Sequence, residues 1–115
     1  MADKMMVVVK TDGTTFEVEA TRMSDGSISL KQLQGLVGGY IEPVQPRNAA
    51  LRGADIWVNE EGLVHRLPVN FVASAVVGVP LVGDVVLVPT ARRALHAIRS
   101  VVAAAGGTSG PQHNA

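Results

Sequence analysis

The segment from Leu30 to Glu42 constrains the fold more than any other part of this chain. Its first eight residues carry leucine and valine at the spacing of one face of a short amphipathic helix. Gly38 and Gly39 follow, and a glycine in the left-handed conformation commonly ends a helix. Tyr40-Ile41-Glu42 then has the composition of a strand, ended by Pro43. We therefore predict a helix that ends at the glycine pair and continues as a strand.

The N-terminal third predicts a hairpin. The predicted strand at 5–10 begins with five successive apolar residues, Met5 to Val9, which is typical of a central strand buried on both faces. Asp12-Gly13 supplies the strongest short hairpin signal. The second strand, at 15–20, alternates apolar and acidic residues, so one of its faces should pack and the other meet water. Ser29 and Gln32 then predict a capping box at the start of the helix.

The rest of the chain predicts further elements from the same signals. Glu60-Glu61-Gly62 indicates a turn. Pro68 suits the first turn of a helix that ends at Gly78, and Thr90 is expected to cap the last helix. The predicted elements are a loop at 43–54, strands at 55–59, 63–65 and 84–88, helices at 68–78 and 91–105, and a disordered tail at 106–115.

These elements predict an α+β fold in a single domain covering residues 1–105. The sheet should be mostly antiparallel, with about five to six strands and with three helices mainly on one face. Of the residues, 47% are hydrophobic and only four are aromatic. We therefore expect all four aromatic side chains to be buried in the core: Phe16, Tyr40, Trp57 and Phe71.

Charge and cysteine content narrow the functional classes. The formal net charge is zero, which gives no overall field to attract nucleic acid, and we expect no nucleic-acid partner. Residues 1–61 carry nine acids and six bases, while residues 62–115 carry one acid and four bases, a split that favours self-association or a polar ligand. The absence of cysteine excludes thiol chemistry and fits a reducing cytosol. No apolar run is long enough for a membrane span, so we expect a soluble, cytoplasmic protein with no membrane partner.

Residues able to carry chemistry are few. Glu60 and Glu61, with Asp55 and Asp84, could form a carboxylate cluster, but an exposed turn is the simpler interpretation of two adjacent glutamates beside a glycine. The three histidines, His65, His96 and His113, have no second ligand at metal spacing. No serine lies in a nucleophile elbow. We therefore predict no catalytic residues, no metal and no cofactor, and leave open whether the chain is an enzyme.

Two arginines mark a candidate anion site. Arg92 and Arg93 lie beside the predicted start of the last helix, where free backbone amides could receive a phosphate or a nucleotide. Arg92, His96 and Arg99 would also share one helical face. A solvated surface is the competing interpretation of these cations, because no aromatic residues are interleaved with them.

Four motifs together resemble a domain-of-unknown-function family of bacteriophages, plasmids and bacterial mobile elements. They extend over residues 28–88, which leaves the C-terminal helix and tail outside the resemblance. The resemblance implies a small accessory protein in the bacterial cytosol, and because the family has no established activity it supplies no functional residue. The motifs are Leu30-x-x-Leu33-Gln34-x-x-Val37-Gly38-Gly39-Tyr40-Ile41-Glu42, Asn59-Glu60-Glu61-Gly62, Leu67-Pro68-x-Asn70 and Gly83-Asp84.

Three hypotheses for function follow. The first is a non-catalytic module that binds an unknown host or phage protein and forms a homo-oligomer. The second is a protein that sequesters a nucleotide-like small molecule at a subunit interface, between acidic motif residues and the two arginines. The third is an enzyme that uses Glu60, Asp84 or His65. Turn and cap roles compete with binding roles for the motif positions, and the candidate binding residues are Tyr40, Glu42, Asn59, Glu60, Asn70, Arg92 and Arg93.

Overall fold

The computed structural model describes residues 4–110, which form one six-stranded sheet and three helices. This architecture confirms the predicted α+β fold. A 3₁₀ turn lies at Ala49–Leu51. The strands are β1 (Met5–Val9), β2 (Thr14–Glu19), β3 (Ile41–Val44), β4 (Ala54–Asn59), β5 (Val85–Pro89) and β6 (Thr108–Ser109), and the helices are α1 (Leu30–Val37), α2 (Phe71–Val77) and α3 (Ala94–Ala104).

The strands lie in the order β3-β4-β5-β1-β2-β6, and every neighbouring pair is antiparallel except β2 with β6. β1 is an interior strand, as its apolar sequence predicts, and Val8 lies opposite Phe16 of β2 and Val86 of β5. Because successive side chains of a strand point to opposite faces, β1 contributes to two cores. Val7 and Val9 join one of them, and Met6 joins the other together with Val8.

The helices cover both faces of the sheet. α2 and α3 pack on one face through side chains such as Val76 and Ile98. α1 covers the other face through Leu33 and Val37. Two of the three helices thus share a face, and the sheet is the middle layer of the domain.

The predicted caps of α1 are confirmed in part. The Ser29 hydroxyl accepts a hydrogen bond from the Gln32 amide at 3.2 Å, and Gly38 ends the helix with φ +79°. The Gln32 side chain does not complete a capping box. The side-chain oxygen of Gln32 accepts a hydrogen bond from the Thr21 backbone amide at 2.7 Å, and its side-chain nitrogen donates to the Glu19 carbonyl at 2.8 Å. The side chain therefore joins α1 to the end of β2.

The prediction that all four aromatic residues are buried is wrong for two of them. Tyr40 is 65% exposed and Phe71 is 77% exposed. Tyr40 lies just before the edge strand β3, and Phe71 is the first residue of α2, whose buried face is formed by small and branched residues further along the helix. Phe16 and Trp57 are partly buried against the α1 core.

The predicted strand at 63–65 is absent, because residues 60–66 form a turn. The His65 amide donates to the Glu61 carbonyl and the Leu67 amide to the Gly62 carbonyl, both at 2.9 Å. Pro68 lies before α2 rather than inside it. Between Pro68 and the start of the helix, Val69 forms an isolated β-bridge with Val82.

The last helix begins later than predicted. The Thr90 amide donates to the Gly53 carbonyl at 2.8 Å, so position 90 extends the pairing of β4 with β5 instead of capping a helix. Arg93, with φ +67°, is the N-cap, and it makes no side-chain cap bond. α3 therefore spans 94–104 rather than 91–105.

The predicted disordered tail at 106–115 starts with ordered backbone. β6 pairs with β2 at Thr14 and Thr15, so a strand stands where disorder was expected. Residues 111–115, which include His113, lie outside the described part of the chain. Between residues 4 and 110, no helix has the length and apolar character that crossing a membrane requires.

Candidate functional site

The Leu30–Glu42 motif and the Asn59–Gly62 motif meet where α1 and β4 end. The Asn59 side-chain amide donates to the Val37 carbonyl at 3.2 Å and accepts from the Glu61 amide at 2.8 Å. A methyl group on Gly39 would lie 2.9 Å from the Asn59 Nδ2 atom, which is too close. The buried asparagine therefore accounts for the second glycine of the pair, Gly39, whereas the first, Gly38, is explained by its positive φ at the end of α1.

The other two motifs meet around Asn70, whose side chain is fully buried. Its amide nitrogen donates to the carbonyls of Val9 and Gly83, each at 2.9 Å, and its oxygen accepts from the Ala73 amide at 3.0 Å. The Gly83 amide in turn donates to the Pro68 carbonyl at 2.8 Å. Asn70 thus caps α2 and joins it to β1, a structural role that accounts for all of its side-chain groups.

The carboxylates do not form a cluster. Asp84 accepts from the Thr11 amide at 3.1 Å and lies 3.7 Å from the Lys10 ammonium, so it supports the β1–β2 hairpin. Asp55 lies opposite Val88, at the other end of the β4–β5 pair. In the described residues, no three His, Cys, Asp or Glu side chains lie close enough together to hold a metal ion.

An apolar groove lies beside the edge strand, on the face of the sheet that carries α2. Its volume is about 550 Å³. Leu63 and Val64 from the 60–66 turn are 81% and 76% exposed, while Val58 and Leu81 are buried core residues. We call this surface the Leu63 groove. Its lining residues are Glu42, Val44, Val58, Asn59, Glu60, Gly62, Leu63, Val64, Val69, Val79, Pro80, Leu81 and Val82.

The groove has a negatively charged rim. Glu42 and Glu60 are its charged lining residues, both are exposed, and no described lysine, arginine or histidine lines it. The neighbouring Glu61 lies 3.9 Å from His65 as an i,i+4 pair. The groove therefore combines an apolar floor with acidic side chains at its border, as protein interfaces combine an apolar centre with a polar rim.

The groove brings together three of the seven predicted binding residues. Glu42, Asn59 and Glu60 line it, although the side chain of Asn59 is buried and hydrogen-bonded within the fold. Tyr40 is joined to this group, since its carbonyl accepts from the Glu60 amide at 2.8 Å. Asn70 is buried away from solvent.

Arg92 and Arg93 lie elsewhere. They follow Pro89, which pairs with Ala54 at the start of β4, whereas Glu60 follows the end of that strand. Five residue steps of β4 separate the two ends, roughly 17 Å at about 3.4 Å per residue. Within one chain, therefore, the arginines and the acidic motif residues do not share a site.

The sequence interpretation missed the apolar residues of the groove. Leu63, Val64 and Val69 were expected to belong to a strand and to the start of a helix. The sequence held one signal of their exposure. The apolar pair at 63–64 directly follows a turn that contains a glycine, and it is too short to be buried by pairing with a neighbouring strand. Its exposure depends on the backbone of the 60–66 turn.

A family model matches most of the chain. Residues 5–99 match the family described as Domain of unknown function (DUF3846). This segment runs from β1 into α3, so it is wider than the 28–88 span of the motifs and includes part of the C-terminal helix. No curated protein and no solved structure matches.

Proposed function

The chain belongs to the DUF3846 family of domains of unknown function, and we propose that it is a small non-catalytic protein that binds a protein partner through the Leu63 groove. The observation that carries the proposal is the exposure of Leu63 and Val64 beside a concave apolar floor. Contiguous exposed apolar side chains bordered by polar ones mark interaction surfaces. Burying these side chains against a partner stabilises the complex by about 25 cal/mol for each Å² of apolar surface removed from water.

We further propose that the protein serves a phage or mobile element in the bacterial cytosol. The resemblance of its motifs to proteins of such elements supports this setting, and the absence of cysteine fits a reducing compartment. The groove could also be closed by a second copy of the chain, which would make the protein a homo-oligomer. Light scattering on the purified protein separates self-association from a heterologous complex.

The proposal is tested by affinity copurification from the bacterial host with three tagged proteins. These are the wild type, the variant Leu63→Glu and the control Met23→Glu. Met23 is also an exposed apolar residue, at 55%, and does not line the groove. We expect a partner that the wild type and the control retain and that Leu63→Glu loses, because a carboxylate in the groove would have to be desolvated on binding. Recovery of the same proteins by all three, together with a strictly monomeric wild type, would contradict the proposal.

The alternative of a nucleotide-like ligand requires two chains, because Arg92 and the acidic motif residues lie at opposite ends of β4 within one chain. Native mass spectrometry of protein purified from the host tests it. A dimer that retains a mass of nucleotide size would favour this alternative, and a bare protein would count against it.

A further inference from the structure

We infer that the Leu63 groove takes an amphipathic helix whose apolar side chains are flanked by lysine or arginine. This inference rests on the proposed function and names the chemistry of the partner. Three features of the described residues support it: a sheet edge that resists strand addition, the dimensions of the apolar floor, and the charge of the rim.

The edge beside the groove is a poor template for another strand. The Glu60 amide donates to the Tyr40 carbonyl, and hydrogen-bonded pairs alternate along an antiparallel ladder. Residues 40, 42 and 44 therefore direct their backbone groups toward β4, while residues 41 and 43 direct theirs outward. Position 43 is proline, which has no N–H to offer. An extended peptide would find an incomplete row of donors on this edge.

The groove offers side-chain contacts instead. Its floor includes Val58 and Leu81, its wall is formed by Leu63 and Val64, and its volume is about 550 Å³. A cleft of this size takes a few side chains at one time. A helix supplies such a set from one face, at positions i, i+3, i+4 and i+7, and keeps its own backbone hydrogen-bonded. A helical ligand therefore fills the cleft without requiring backbone donors from β3.

The rim selects the charge of the ligand. Glu42 and Glu60 are exposed at the border, and neither forms an ion pair with the described residues. Lysine or arginine at the edges of the apolar helical face would meet these carboxylates at the solvent-accessible rim. Such complementary charges raise the association rate and reject acidic competitors.

A displayed library of random 16-residue peptides tests the inference. The library is selected on the wild-type protein, and clones that also bind Leu63→Glu are removed. Enriched peptides are synthesised, and their affinities for the wild type and for four variants are measured by fluorescence anisotropy. Circular dichroism of the free and bound peptide reports helix formation. The variants are Leu63→Glu, Val64→Glu, Glu60→Gln and Met23→Glu, and each must retain the wild-type unfolding profile.

We expect enriched peptides with apolar residues three and four apart and with basic flanks. Leu63→Glu and Val64→Glu should each weaken binding at least about tenfold, as loss of an interface anchor does. Glu60→Gln should weaken it about two- to fivefold, the usual range for an exposed charge pair, and added salt should remove that difference. Met23→Glu should leave binding unchanged.

Two results would overturn the inference, and they differ in what they say of the proposed function. Groove-dependent peptides with alternating apolar residues or acidic flanks would refute the basic helix while retaining the binding role. A selection that yields no peptide dependent on position 63 or 64 would contradict both.

Discussion

Replacing Asn70 with alanine should lower the free energy of unfolding by about 3 kcal/mol. The Asn70 side chain is fully buried and makes three hydrogen bonds. Loss of the helix cap costs about 1 kcal/mol. Loss of each of the two bonds to the carbonyls of Val9 and Gly83 costs about 1 kcal/mol more. Since domains of this size are stable by only about 5–15 kcal/mol, the loss would be large.

The variant Asn70→Asp tests the helix cap separately from the two hydrogen bonds to the carbonyls of Val9 and Gly83. The variant keeps an oxygen for the Ala73 amide, but it places a second oxygen where the nitrogen now lies 2.9 Å from two carbonyl oxygens. Burial and these carbonyls should raise the pKa of the introduced carboxyl above its unfolded value of about 3.9. A raised folded-state pKa means that the variant is least impaired when protonated. Relative to the wild type, it should therefore lose stability as the pH rises from about 4 through the raised pKa.

Urea unfolding at pH 4.5 and pH 7.5 measures both effects. Asn48→Asp is the matched control, because Asn48 is only partly buried and its nitrogen donates to one carbonyl, that of Val76. The control should lose less stability and show a weaker pH dependence. If Asn70→Ala cost under about 1 kcal/mol, or if the deficit of Asn70→Asp did not change with pH, the structural role assigned to this residue would be refuted.

Three further predictions concern other parts of the fold. The Arg99 guanidinium donates two 2.6 Å hydrogen bonds to Glu17 and lowers the pKa of that carboxyl, so Arg99→Gln should cost up to about 1 kcal/mol at pH 7. Because a lowered pKa contributes fully above the unfolded value and loses its contribution down through the folded value, this deficit should shrink in urea titrations as the pH falls from about 4.5 through the lowered pKa of Glu17; a deficit as large at pH 3 as at pH 7 would contradict it. Gly35→Ala, at an open position in α1, should raise the free energy of unfolding by about 0.4–1 kcal/mol. Gly38→Ala, at a position with φ +79°, should lower it by about 1–2 kcal/mol. Equal shifts of the two thermal unfolding midpoints would contradict this pair of predictions. Pro43→Val should restore an outward N–H on β3 and promote association visible by light scattering; an unchanged mass at high concentration would disprove the edge argument.

Local chemistry was enough to predict several elements. Asp12-Gly13 places the hairpin because a glycine adopts the positive φ, here +87°, that the turn needs. Gly38 and Gly78 end helices for the same reason. The unbroken apolar character of β1 requires burial on both faces, so its interior position in the sheet was also predictable.

Elements that depend on distant partners were not predictable. Thr90 has the side chain of a helix cap, yet its backbone amide donates to the Gly53 carbonyl and extends the pairing of β4 with β5. Thr108 and Ser109 lie in a polar, glycine-containing stretch that looks disordered, yet β2 has a free edge with which they pair. In each case a backbone hydrogen bond to a residue tens of positions away outweighs a local propensity.

The candidate site shows the same division. By itself, the sequence determined the turns, the caps and the apolar strands, because these follow from backbone conformation and side-chain periodicity within a few residues. The motif asparagines were visible too, and their cap interpretation agrees with the hydrogen bonds that Asn59 and Asn70 make. Only the tertiary structure decided that Leu63 and Val64 stay exposed beside Glu42 and Glu60. Exposure depends on which surfaces the rest of the chain covers, and that outcome is a property of the assembled fold.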